Sequence, residues 1–154
     1  MIEPLISIQI DGASRVFESG DVLSVAVQVD AVDPKEIQAV ELSVLWHTEG
    51  KGDEDIGVHH FERRMADVYL RGHLHELHKF HTTLPVSPLS YDGVNVKIYW
   101  CVRMRLFLNR GRETVAEQRF QLGNVPTAHA VIESSGSDNR QPPANEKARQ
   151  DTSA

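Results

Sequence analysis

Apolar residues recur at every second position through most of the chain rather than on a helical three-four rhythm, a period that predicts strands. Ile6, Ile8 and Ile10 alternate with Leu5, Ser7 and Gln9. After a turn at Gly20-Asp21, Leu23, Val25, Val27 and Val29 share one face and Val22, Ser24, Ala26 and Gln28 the other, as in a half-buried strand. Pro34 interrupts, and a third strand places Val40, Leu42, Val44 and Trp46 opposite Ala39, Glu41, Ser43, Leu45 and His47. The polar, glycine-rich run Glu49-Gly50-Lys51-Gly52-Asp53-Glu54-Asp55 ends it as a loop or hairpin tip.

A short strand is expected from Ile56 to Phe61, the stretch from Arg63 to Gly72 carries no decisive pattern, and a further strand is expected from Leu77 to Leu84. Two prolines and a closing Asp-Gly punctuate the connection from Pro85 to Gly93. The longest strand follows, with Val96, Ile98, Trp100, Val102, Met104, Leu106 and Leu108 on one face and Lys97, Tyr99, Cys101, Arg103 and Arg105 on the other. Asn109-Arg110-Gly111-Arg112 turns the chain, and Glu113 to Leu122 returns as the second arm of a hairpin, with Ala116, Phe120 and Leu122 inward and Glu117, Arg119 and Gln121 outward.

About seven short strands separated by turns, with no helical pattern between them, predict an all-β fold: an antiparallel, two-sheet sandwich over residues 1–126. From Glu133 to Ala154 there is no Val, Ile, Leu, Met or aromatic residue. Such a composition buries too little apolar surface to offset the entropy of ordering, so residues 127–154 are expected to form a disordered polar tail.

Three segments together resemble the arrestin-like family. The first is Phe17-Glu18-Ser19-Gly20-Asp21, feeding a valine-alternating strand. The second is Phe80-His81-Thr82-Thr83-Leu84-Pro85, followed by Pro88-Leu89-Ser90-Tyr91-Asp92-Gly93. The third is the strand Val96-Lys97-Ile98-Tyr99-Trp100-Cys101-Val102-Arg103-Met104. The resemblance covers roughly residues 5 to 125 as one domain, similar to arrestin N-type domains and to sporulation-control proteins, which usually carry two domains or an added region. It implies an immunoglobulin-like, arrestin-like β-sandwich serving as a non-catalytic adaptor or scaffold, and it supplies no catalytic residue.

With 16 Lys and Arg against 22 Asp and Glu, the formal charge is −6. That balance argues against a generic nucleic-acid binder and against a polybasic membrane-surface protein, both of which draw affinity from excess Lys and Arg. No apolar run approaches the ~20 residues that cross a bilayer. The absence of a signal-peptide pattern and of an Asn-x-Ser/Thr acceptor makes a cytoplasmic protein the expectation.

Two patches carry candidate chemistry. Lys97, Tyr99, Arg103, Arg105 and Arg119 fall on the outward face of the last hairpin, where they could dock an acidic protein partner in a salt-sensitive way; alternatively Arg103 and Arg105 pair across the hairpin with Glu113 and Glu117 as a solvated face. Four of the eight histidines lie between His73 and His81. If that stretch is extended, His73 and His75 point the same way, and His59 or His60 from a neighbouring strand could complete a zinc site; otherwise these are exposed histidines beside a sheet edge. His75-Glu76-Leu77-His78 misses the metalloprotease pattern by one residue, and Asp53-Glu54-Asp55-Ile56-Gly57 lacks the distal acid of a calcium loop, with Arg64 in its place. Cys101 stands mid-strand opposite Trp100's face and is expected to be a structural thiol; no cofactor is expected besides possible zinc, and sheet edges could pair two copies.

Overall fold

In a computed structural model, which describes residues 3–73 and 78–125, the alternating segments form two sheets. The first has three strands in the order β1 (Leu5–Ile10), β3 (Val22–Asp30), β6 (His78–Thr83), all antiparallel. The second runs β2 (Val16–Phe17), β9 (Glu113–Leu122), β8 (Val96–Leu108), β4 (Ile37–Gly50), β5 (Ile56–Met65), with the two-residue β7 (Tyr91–Asp92) alongside the start of β8. A short helix, α1 (Val68–Gly72), follows β5. Among the described residues the one parallel pairing is β2 on β9, where Phe17 is buried and its carbonyl accepts from the Gly123 N–H at 2.7 Å. The boundary expected at 126/127, the tail expected over 127–154, and His75 lie outside the described residues.

The core is the layer between the sheets, built by the period-two residues. Leu23, Val25, Val27 and Val29 of β3 face Val40, Leu42 and Val44 of β4 and Trp100, Val102, Met104 and Leu106 of β8, all buried. Cross-strand register keeps these faces in phase: Val44 stands opposite Val102, Leu42 opposite Met104, and Trp100 opposite Phe120. Burying such side chains contributes roughly 1.5–3 kcal/mol each against leaving them in water.

The segments that carry the family resemblance meet at one end of the sandwich. The Asp21 carboxylate accepts from the Glu18 N–H at 2.9 Å, closing the early turn, and that turn exchanges backbone hydrogen bonds with Leu84. Ser90 bonds Leu122 through both its amide and its hydroxyl, and the Pro88 carbonyl accepts from the Trp100 indole N–H at 2.8 Å. The long proline-bearing connection is thus a strap fastened to β9 and to the largest core side chain.

Two expectations need extension. The strand expected to end at Phe61 continues to Met65, and the undecided stretch contains α1, started by the Asp67 carboxylate accepting from the Leu70 N–H at 2.7 Å. His73 caps the end of that helix, its N–H donating to the Leu70 carbonyl at 3.2 Å.

Candidate functional site

Because side chains alternate across a strand, the outer face of the six-stranded sheet is fixed once its core is known. On β8 it receives Lys97, Tyr99, Cys101, Arg103 and Arg105, and β9 adds Glu113, Glu117 and Arg119. Each cation finds a carboxylate there. Arg103 pairs with Glu117 at 3.2 Å, Arg105 with Glu113 at 3.6 Å, Lys97 with Asp92 at 3.5 Å, and Arg119 with Glu49 of β4 at 2.9 Å. Arg63 of β5 pairs with Glu41 of β4. The Arg119 guanidinium also lies 3.8 Å over the Tyr99 ring, with the His47 ring 5.7 Å from it on the other strand. The five residues expected as a patch are together, but as a lattice of closed pairs rather than as an excess of positive charge.

Beneath this lattice the face is dry. Leu45 and Cys101 stand directly opposite one another across β4 and β8, each only 1% exposed, covered by the stems of the charged side chains. The Cys101 thiol donates to Glu117 at 3.3 Å, and its pKa is pushed up to about 12, first by burial and then by that carboxylate. For Glu117, burial alone would raise the pKa; the Cys101 hydrogen bond and the Arg103 charge outweigh it and hold the carboxyl below its usual range.

The sequence pattern missed the most unusual element, β5. It is the outermost strand of its sheet, and its polarity is inverted. A bulge between Val44 and Leu45 of β4 leaves His59 unpaired. On either side of it Ile56 and Val58, then Phe61, Arg63 and Met65, face outward, while His60, Glu62 and Arg64 stand opposite the core residues Val44, Leu42 and Val40. The outward apolar members are 56%, 57%, 53% and 62% exposed for Ile56, Val58, Phe61 and Met65. Among the described residues β5 is the edge of its sheet, so this apolar row and its outer backbone groups face no neighbouring strand. The row's signal in the sequence is the spacing of Ile56, Val58, Phe61 and Met65, which falls on one face only once the phase slip at His59-His60 is known, and Arg63 interrupts the apolar set on that face.

The candidate metal ligands are engaged locally. His59 Nε2 lies 2.8 Å from the Thr83 carbonyl, tying β5 to β6 across the gap between the sheets. His60 Nε2 lies 3.0 Å from Glu62, and its ring stacks on Phe80 with centroids 5.3 Å apart. His73 Nδ1 is 2.7 Å from the Tyr69 carbonyl, with the two rings stacked. Among the described residues, no three His, Cys, Asp or Glu side chains are grouped as metal ligands would be. At the faint calcium loop, Asp55 instead closes the β4–β5 hairpin, its N–H donating to the Thr48 hydroxyl at 2.8 Å. No helix among the described residues is long and apolar enough to cross a membrane.

No family model and no curated protein matches the chain. Among solved structures it is similar to Spo0M, the sporulation control protein of Bacillus subtilis, with a TM-score of 0.55 and 15% sequence identity. The match covers 88% of this chain and 56% of that one, so the chain spans little more than half of Spo0M's length. At this identity the likeness concerns the fold. Two sheets in this order, closed by a strap over Trp100, make an arrestin-like β-sandwich.

Proposed function

We propose that the chain is a non-catalytic protein-interaction module, an adaptor or scaffold, that receives an extended segment of a partner protein along the free edge of β5. The observation that carries this reading is the exposed row Ile56, Val58, Phe61 and Met65 on a strand with no neighbour on its far side among the described residues. Adding a strand there satisfies the edge's backbone groups and covers the row, while side chains at alternate positions supply specificity. Lys97, Tyr99, Arg103, Arg105 and Arg119 form the polar rim, which excludes water more than it adds energy. Cys101, protonated and buried, is a support for that face and not a nucleophile. The likeness to a sporulation control protein is in keeping with a regulatory role exercised by binding.

The occupant is a heterologous segment rather than a second copy. A partner strand whose alternate positions are apolar covers Ile56, Val58, Phe61 and Met65.

A photo-crosslinking residue at position 61, with position 7 on the outer side of β1 as control, tests this in native extract. The expected product joins position 61 to an extended, alternating segment of another protein and is lost in a Val58→Asp background. Equal yield from position 7, or crosslinks only between copies of this chain, would overturn the reading.

A further inference from the structure

The inverted polarity of β5 has a second side. Two of its inward residues, Glu62 and Arg64, border a cavity of about 130 Å³ between the sheets, at the end of the sandwich closed by α1. The walls are apolar, from Val27 and Val29 of β3, Val40 and Leu42 of β4, and Met104 of β8. The rim is polar, with Glu62 and Arg64 from β5, His78 from β6, and Tyr69 and His73 from α1 and its end, while Leu70 of α1 adds to the apolar lining. We propose that this cavity is a binding site for a small monocarboxylate with an apolar body, held by Arg64.

Size fixes the body. A cavity of about 130 Å³ is well below the roughly 300–1,000 Å³ that takes drug-sized ligands, so nucleotides and peptides are too large. It is comparable to the ~150 Å³ apolar cavity that accepts benzene, which limits the buried part to about six to eight carbons.

Charge fixes the head group. Arg64 stands opposite Val40, on the core-facing side of β5, and is half-buried. Its neighbour on that side, Glu62, is turned to His60, and Arg64 has no carboxylate partner among the described residues. A guanidinium beside apolar walls gains most from a carboxylate, which it can hold with two parallel hydrogen bonds. Glu62 on the same rim repels a second negative charge, so a monoanion is favoured over phosphate or a dicarboxylate. This site is independent of the outward apolar row and of any partner docked there.

Calorimetric titration of the full chain with phenylacetate, its neutral analogue phenylacetamide, and inorganic phosphate tests the proposal. One phenylacetate is expected per chain, with phenylacetamide at least about tenfold weaker, phosphate not taken up, and the preference for the anion lost in Arg64→Met. Absence of saturable phenylacetate binding, or an anion preference that survives Arg64→Met, would overturn it. As a measurement independent of any variant, phenylacetate should shift the methyl resonances of Val27, Leu42 and Met104. Shifts confined to other residues would assign the binding elsewhere and overturn the site.

Discussion

At the scale of single residues, Cys101 shows how burial on a solvent-facing sheet surface sets chemistry. Its thiol is covered by paired Arg and Glu side chains and donates to Glu117, so the folded protein holds it protonated up to about pH 12, against 9.0 for an ordinary thiol. The unfolded chain releases that proton first. Between about pH 9 and pH 12 the folded state therefore binds more protons than the unfolded one, and stability falls as pH rises, by up to about 1.4 kcal/mol per pH unit from this group. Urea midpoints at successive pH values should decline more steeply for the wild-type chain than for Cys101→Ala, and parallel declines would contradict the assignment. Alternation placed Cys101 on the correct face, and the Arg103 and Arg105 pairs with Glu117 and Glu113 follow from the hairpin it predicts. That the thiol is buried there was not legible, because Glu49 and Leu45 reach the same face from a strand far away in sequence.

At the scale of elements, legibility followed phase. β9 forms where the pattern places it, although Thr114 and the exposed Gln118 interrupt its inward apolar set, while β1, β3, β4 and β8 form where the pattern places them and keep a period of two with a large apolar set on one side. β5 does not, for a physical reason: the bulge opposite Val44 and Leu45 shifts its phase by one residue, so Val58 and Phe61 share a face despite their odd spacing. α1, at five residues, is shorter than two helical turns and shows no period to read. The same strand holds a sharp steric constraint. Gly57 faces the Trp46 indole, and a Cβ built there would come within 2.3 Å of its Nε1. Gly57→Val should displace the indole and destabilise the fold by about 1–3 kcal/mol, the usual cost of overpacking. Chemical denaturation with Trp fluorescence would read both the stability loss and the indole's movement, and a neutral substitution would show that Trp46 has room to turn.

At the scale of the whole molecule, the formal charge of −6 and the closed ion pairs of the outer sheet determine how the proposed partner segment would be held. Five uncompensated cations would produce a field whose attraction weakens steeply as the Debye length shrinks from about 10 Å at 0.1 M salt toward 3 Å at 1 M. Here Arg103, Arg105, Lys97, Arg119 and Arg63 are each already matched on the face, so an incoming segment gains little from long-range attraction. The exposed apolar row has no such compensation, and covering it is worth about 25 cal/mol for each Å² removed from water. Affinity for the segment captured at position 61 should therefore vary by less than about threefold between roughly 0.1 and 0.5 M salt, where only screened charge pairs would weaken. Phe61→Asp should weaken it by more than about tenfold, and Arg103→Glu by far less, as for a rim charge. Calorimetry with the captured segment measures all three. A steep salt dependence together with a large Arg103→Glu effect would move the binding energy from the β5 row to the charged hairpin, and with it the place where the partner lies.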